Sequence, residues 1–381
     1  MNGERSEPKA PIPNPQSPIP KVRPIPVVAF AGGGTGGHVI PALAVARELR
    51  RRGREVFFVG TERGIEARLV PGEGFRLEFV RIGGLKGVGL RQRLETLWRL
   101  PPGTLRCLRL LRGVGSVFSM GGYVAGPVVL AALARRIPVV VMEPNAMPGF
   151  TNRRIARFVE RALIGFPETA RWFPAGRTEL TGLPVRDEFF FVETKPRGET
   201  LTVLITGGSQ GSRALNEAAR RSWPLFRAGG PRVRFVHQAG RAHAEALAAD
   251  FAAAGMEGEV APFLDNMAAA FAGADVVISR AGAGAVSELA AAGKASILVP
   301  FPFAADQHQL RNAEALERAG AARLVPESEL TGERLYGEVR KLAEEEGAIE
   351  RMGAAARKLA RPGAAARAAD VLERAAGAVF D

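Results

Sequence analysis

Gly32-Gly33-Gly34-Thr35-Gly36-Gly37-His38 follows the apolar run Val27-Val28-Ala29-Phe30 and opens an amphipathic segment from Val39 to Arg52. Five glycines around one threonine let the backbone turn sharply and come close to a ligand, and a helix that follows aims free N–H groups at the same spot. The spacing predicts an anion-binding turn between a strand and a helix. His38, in the first helical turn, faces whatever the turn holds and can take a proton near neutral pH. A tight strand-to-helix corner with no ligand is the competing reading. Against it stands an echo later in the chain, where Leu201–Thr206 runs into Gly207-Gly208-Ser209-Gln210-Gly211 and then a helical pattern containing Leu215, Asn216 and Ala219. Both stretches read strand, Gly-Gly-(Thr or Ser)-x-Gly, helix. Neither carries the Gly-Lys-Ser/Thr of a Walker loop, and neither has the spacing of the dinucleotide fingerprint. The simplest explanation is two nucleotide-binding-like α/β folds in tandem.

A chain of 381 residues is long enough for two domains, and 46% hydrophobic content supports a core in each. The formal charge of +13 and a pI near 10.9 point to an acidic partner, nucleic acid or an anionic membrane surface. One cysteine, Cys107, excludes a disulfide framework. His38, His237, His243 and His308 show no zinc spacing, so no metal is expected. Residues 1–26 hold eight prolines and no apolar core of a signal peptide, and read as a disordered, partly polyproline tail. No apolar run approaches the ~20 residues that span a bilayer, which predicts a soluble or peripheral protein.

Taken in order, Glu55–Val59 reads as a buried-type strand, so strand, helix, strand implies a parallel sheet. From Arg81 to Arg112 eight basic residues stand against one acid, Glu95, interleaved with Leu85, Val88, Leu90, Leu94, Leu97, Trp98, Leu100 and Leu105. Such a stretch suits an anionic-lipid-facing patch; an ordinary buried helix with a solvated basic face competes with it. Nucleic acid fits less well, because aromatic side chains for base stacking are nearly absent here. Val117–Met120 meets Gly121-Gly122-Tyr123, and Val139–Met142 meets Glu143-Pro144-Asn145. In an open parallel sheet, loops at the carboxyl ends of strands line one crevice, so His38, Tyr123, Glu143 and Asn145 should converge there. Asn145 as a plain turn residue is the alternative.

Residues 183–200 look like an interdomain linker, dividing 27–182 from a second domain over 201–361. There Asp275–Ser279 reads as a strand leading through small residues, Ala281 to Ala285, into a helix that carries Glu288. A carboxylate in that place can accept hydrogen bonds from the vicinal hydroxyls of a ribose, or can instead complement the helix dipole. The polar run Asp306-Gln307-His308-Gln309 suits sugar hydroxyls. After Arg361-Pro362-Gly363, residues 362–381 read as a terminal helix that could pack back on the first domain.

From Val27 to this last helix the chain resembles the family of bacterial undecaprenyl-diphospho-muramoylpentapeptide β-N-acetylglucosaminyltransferases. The motifs that carry the resemblance are Gly-Gly-Thr-Gly-Gly-His with Pro41, Met120–Pro127, Gly207–Gly211, the helix start Ala283–Glu288 and Asp306–Asn312. The resemblance implies a GT-B fold, two Rossmann-like domains facing a cleft. It implies a peripheral enzyme of the cytoplasmic membrane face that completes a lipid-linked peptidoglycan precursor. The donor would be UDP-N-acetylglucosamine and the acceptor the 4-hydroxyl of lipid-linked N-acetylmuramoyl-pentapeptide, with an anionic membrane surface as partner and no nucleic acid or cofactor.

By matched motif, Thr35, Gly36, Gly37 and Asn145 would touch the donor from the first domain. Arg186, Ser209, the backbone of Leu264, Ala283, Gly284, Ala285, Val286, Ser287, Glu288 and Gln309 would do so from the second. An α-linked donor and a β-linked product imply one inverting displacement, with His38 as the base or as a phosphate ligand. The chain departs from the family at Met142-Glu143-Pro144-Asn145, at Gly182-Leu183-Pro184-Val185-Arg186 and in the loop Pro302–Ala305. No Asp-x-Asp triplet occurs, which argues against a metal-held diphosphate. Another GT-B glycolipid transferase and a non-catalytic nucleotide or polyanion binder remain as alternatives.

Overall fold

The computed structural model describes residues 27–34, 36–82, 90–193, 196 and 198–377, with the backbone alone at 90–97 and 99. The expected proline-rich tail lies outside the described residues, as do Thr35 and 83–89 of the basic-apolar stretch.

The first sheet begins with β1 (Val27–Ala31), α1 (Gly36–Arg51), β2 (Val56–Gly60), α2 (Glu66–Gly72), β3 (Arg76–Phe79) and α3 (Leu90–Leu110). It continues with β4 (Val114–Ser119), α4 (Ala125–Ala134), β5 (Val139–Glu143), α5 (Phe150–Ile155), β6 (Arg161–Ile164) and β7 (Thr178–Leu180). Its strands are all parallel, in the order β3-β2-β1-β4-β5-β6-β7. Central strands such as Val-Phe-Phe-Val-Gly in β2 are apolar throughout because helices cover both faces. Phe30 of β1 packs between Phe58 of β2 and Phe118 of β4, with ring centroids 4.9 and 5.0 Å away.

The second sheet uses β8 (Leu201–Thr206), α6 (Arg213–Ala228), β9 (Val233–Gln238), α7 (Ala244–Ala253), β10 (Glu257–Ala261), α8 (Met267–Gly273) and β11 (Val276–Ser279). It is completed by α9 (Ala283–Ala292), β12 (Ala295–Leu298), α10 (His308–Arg318), β13 (Arg323–Leu324), α11 (Gly332–Glu344) and α12 (Ala348–Lys358). Its order is β10-β9-β8-β11-β12-β13, again parallel. Each sheet reverses direction of winding beside its first strand, β1 against β4 and β8 against β11. The loops leaving those strands therefore open on a crevice. The α/β expectation with two Rossmann-like halves is borne out.

The last helix, α13 (Ala364–Gly377), returns to the first domain. Ala368, Ala369, Val371, Leu372 and Ala375 join Val28, Phe30, Leu49 and Phe118 in one buried cluster. Ser116 Oγ donates to the Leu372 carbonyl at 3.2 Å. Around its rim Arg52 pairs with Asp370 and Glu373 at 2.6 and 2.8 Å, and Arg54 with Glu373 at 2.5 Å.

The stretch expected as a linker is packed where it is described. Phe189 is fully buried and meets Phe271 edge-on at 5.2 Å. Arg357 of α12 donates to the carbonyls of Phe190 and Val192, so this part of the crossing segment belongs to the second domain's surface. Cys107 of α3 and Leu111 just past its end are buried under the first sheet, whereas Trp98 and Leu105 of α3 are 81% and 60% exposed. Seven residues apart, these two share one helical face. The side chains of Arg91, Arg93 and Arg99, expected in the membrane patch, lie outside the described residues.

Candidate active site

On the first-domain side, Gly34 has φ +87°, and a Cβ there would lie 3.1 Å from the Tyr123 ring. The turn can only be glycine at that point. His38 follows in α1, its Nδ1 3.3 Å from the Gly33 carbonyl oxygen. A carbonyl only accepts, so Nδ1 carries the proton and Nε2 keeps its lone pair. Burial holds the His38 pKa below its usual value; the Gly33 carbonyl and Glu66 oppose that, and His308 from the facing domain adds to it. The result is a neutral imidazole whose Nε2 has no hydrogen-bond partner among the described residues, the form a general base needs.

Glu143 at the end of β5 is buried and accepts from Asn145 N (3.1 Å), Asn145 Nδ2 (3.2 Å), Gly149 N (2.9 Å) and Asn152 Nδ2 (2.9 Å). Burial, more than those bonds oppose, raises its pKa. Glu143 thus organises the loop that carries Asn145. The Asn145 side-chain oxygen accepts from Asn312 of α10 at 3.1 Å. Both ends of the Asn145 amide are engaged within the protein, at the junction of the domains.

On the other side of the cleft lies a cavity of about 820 Å³. Its floor is the turn after β8. A Cβ on Gly207 would fall 2.4 Å from Ser212 N, and one on Gly211 (φ +73°) 2.0 Å from the Ala239 carbonyl, so both positions exclude side chains. Gln238, at the end of β9, fixes two walls at once. Its Nε2 donates to the Gly208 carbonyl at 2.8 Å and its Oε1 accepts from Leu264 N at 3.0 Å. Leu264 therefore offers its carbonyl, not its N–H. Arg280 donates to Ser212 Oγ (2.7 Å), pairs with Glu327 (2.5 Å) and lies over the Phe301 ring at 5.5 Å. With Arg186 and Arg213 it gives the cavity three guanidinium groups.

Glu288 lines the same cavity. Burial pushes its pKa up to about 7, opposed by Arg186 and reinforced by Glu188. It is the sixth residue of α9, past the first turn where the helix dipole acts, so dipole complementation does not account for it. The first N–H groups of α9 have no side-chain cap at Gly282, and Gly282 and Ala285 of this helix start line the cavity. Gln309 turns its Oε1 to Phe301 N at 3.0 Å, which leaves its Nε2 as donor.

Of the expected donor contacts, the cavity gathers Arg186, Ser209, Leu264, Ala285, Glu288 and Gln309. Gly36, Gly37, Asn145, Ala283 and Gly284 are not in its lining. Val286 is buried in the core and Ser287 lines a small separate cavity of about 70 Å³ at the domain junction, because alternate faces of α9 point away from the cleft. Ile40 of α1 is the first domain's own contribution to the lining. Gln238, Arg280 and the apolar wall of Phe263, Met267 and Phe271 were not anticipated. The position of Gln238 at a strand's carboxyl end was the available signal.

Two parallel α/β domains that face a cleft, one with a nucleotide-sized, arginine-lined pocket and the other with a neutral histidine, define a nucleotide-sugar glycosyltransferase of the GT-B type. The chain matches the glycosyltransferase family 28 N-terminal domain over residues 28–164 and the C-terminal domain of the same family over 202–373. It is 64% identical over 347 residues to a UDP-N-acetylglucosamine–N-acetylmuramyl-(pentapeptide) pyrophosphoryl-undecaprenol N-acetylglucosamine transferase of Solibacter usitatus, covering 91% of this chain and 95% of the relative. A transferase of the same name from Syntrophus aciditrophicus is 40% identical over 87% of this chain and 94% of its own. The crystal structure of Acinetobacter baumannii MurG superposes with a TM-score of 0.78 at 34% identity, covering 92% of this chain and 99% of that one. The chain belongs to glycosyltransferase family 28, and within it to the MurG family.

Proposed function

We propose that this protein transfers N-acetylglucosamine from UDP-N-acetylglucosamine to the 4-hydroxyl of undecaprenyl-diphospho-N-acetylmuramoyl-pentapeptide, with inversion, in peptidoglycan synthesis. The observation that carries it is the pairing of His38, neutral with Nε2 free, and the facing cavity with Glu288 and three arginines. UDP sits with its ribose hydroxyls on Glu288 and its diphosphate by the Gly207–Gly211 turn and the N-terminus of α9. The Leu264 carbonyl faces the imide of the uracil, and the Gln309 amide faces the sugar.

The acceptor oxygen attacks C1 from the face opposite UDP. As the C1–O bond forms, His38 Nε2 takes the hydroxyl proton; the C1–phosphate oxygen bond breaks and its electron pair leaves on UDP. Arg186 and the backbone amides stabilise that charge where it develops. Gly36 and Gly37, at the start of α1, would meet the donor from the first domain; Thr35, expected beside them, lies outside the described residues.

The protein acts at the cytoplasmic face of the membrane. No helix among the described residues is long and apolar enough to cross a bilayer. Exposed Trp98 and Leu105 on one face of α3, flanked by exposed Arg106 and Arg109, suit an anionic interface. The deciding experiment is radiolabelled sugar transfer from UDP-N-acetylglucosamine to the lipid-linked muramoyl acceptor, with the anomeric configuration of the product read by NMR. A β-linked product is expected; UDP binding without transfer to any acceptor would leave a nucleotide-binding module.

A further inference from the structure

Glu66 opens α2 with no exposed surface, and the catalytic scheme above does not use it. Its carboxylate accepts from Thr61 N (2.9 Å), Thr61 Oγ1 (2.8 Å) and Gly34 N (2.8 Å). Three glycines wall it in. A Cβ would fall 2.3 Å from its Oε1 at Gly33, 2.6 Å from its Cγ at Gly60 and 2.0 Å from its Oε2 at Gly64. The site is built around a carboxylate, and its hydrogen bonds keep that carboxylate ionised against the cost of burial.

The N–H that Glu66 takes belongs to the peptide linking Gly33 to Gly34. The carbonyl of that same peptide receives the Nδ1 proton of His38. In a trans peptide the two groups point to opposite sides, so one planar unit stands between the carboxylate and the imidazole. Negative charge on the N–H side polarises the carbonyl, and a more polarised carbonyl is a better acceptor for Nδ1–H.

The geometry points to Glu66 as a positioning residue that acts through the Gly33–Gly34 peptide to hold His38 in the Nδ1–H tautomer, with Nε2 directed at the acceptor. The inference rests on the reading of His38 as the base. It explains why the turn after β1 is tethered to α2, a link that anion binding alone does not require. The titratable groups that act on the ring are Glu66, which raises its proton affinity, and His308 of α10, which lowers it.

Two measurements test it, and their NMR readouts, the tautomer and the pKa of His38, do not need the reaction to be assigned correctly. In the wild-type protein, nitrogen-15 NMR of His38 should show the Nδ1–H tautomer; the Nε2–H tautomer would overturn the proposal even if no variant folds. In Glu66→Gln, which keeps an acceptor oxygen and loses the charge, the His38 pKa should drop by about half a unit or more. The acid limb of kcat/KM should move down with it, and kcat should fall roughly tenfold with the KM for UDP-N-acetylglucosamine within about twofold. An unchanged His38 pKa and pH profile in a variant that is merely less stable would assign Glu66 a purely structural role. Absence of sugar transfer by the wild type would instead sink the proposed reaction, leaving the tautomer and the pKa to be judged separately.

Discussion

Asn312 of the second domain and Asn145 of the first are joined side chain to side chain, Nδ2 to Oδ1 at 3.1 Å, and Asn312 Oδ1 also takes the Ala146 N–H at 2.9 Å. Asn312 is fully buried and donates further to the Ala281 carbonyl at 3.0 Å. Replacing it by Ala leaves the buried Ala146 N–H and the buried Ala281 carbonyl unpaired, each costing about 1–3 kcal/mol where water cannot reach. Asn312→Ala should therefore lower the melting temperature by several degrees and speed hydrogen exchange at the Ala146 amide. Unchanged exchange there would show that the domains are held by other contacts.

Glu288 should make UDP binding release protons. Its folded pKa of about 7 lies above the ordinary carboxyl value, so the stability it contributes is present below about 4.5 and lost as pH rises toward 7. Ribose hydroxyls donating to the carboxylate favour its ionised form and reverse that penalty. Calorimetric titration with UDP near pH 6, in buffers of different ionisation enthalpy, should show a buffer-dependent heat. Glu288→Gln should abolish the buffer dependence and weaken binding by about 1.5–3 kcal/mol.

His38→Ala should reduce kcat by about 10²–10⁴ with little change in donor affinity. In the wild type the acid limb of kcat/KM should fall below 6.5, because burial lowers the His38 pKa. Folded pKa below unfolded pKa means that the histidine's contribution to stability is present above about 6.5 and lost as pH falls through the lower value. A pH–rate profile and a urea titration series at pH 5 to 8 read the two effects independently.

Trp98 and Leu105 give the membrane reading a direct handle. Changing both to Glu should remove most sedimentation with anionic vesicles and leave transfer to a short-chain soluble acceptor nearly unchanged, since neither side chain packs in the core. Equal sedimentation of variant and wild type at low salt would place the docking surface elsewhere.

Chelation of divalent ions should leave substantial transfer activity, because in the proposed arrangement Arg186, the Gly207–Gly211 turn and the N-terminus of α9 would offset the charge of the diphosphate without a metal. Loss of turnover in EDTA, restored by magnesium, would contradict this.

The turns after β1 and β8 were legible because their signal is local: apolar residues set the strand and glycines set the corner within a dozen positions. Glu288 was legible for the same reason, lying in the helix its turn begins. Asn145 was read as a donor contact, yet its side chain meets Asn312, 167 positions away, and no local pattern announces such a partner. Gln238 was missed because its partners sit on neighbouring strands' loops, and Glu66 because Gly34, its link to the turn after β1, lies 32 positions earlier. The stretch 183–200 read as a tether from its proline, glycine and charge, while Phe189, the residue that docks it, carries no special signature alone.

The place of α13 bears on how the chain comes into being. Synthesis delivers Val28, Phe30 and Phe118 long before Leu372 emerges, so throughout translation of the second domain one face of the first sheet has α1 over it but lacks the part of its cover that α13 supplies. A message truncated just before codon 364 would yield a chain able to fold its nucleotide half, with the other half left sticky and fit chiefly for proteolysis.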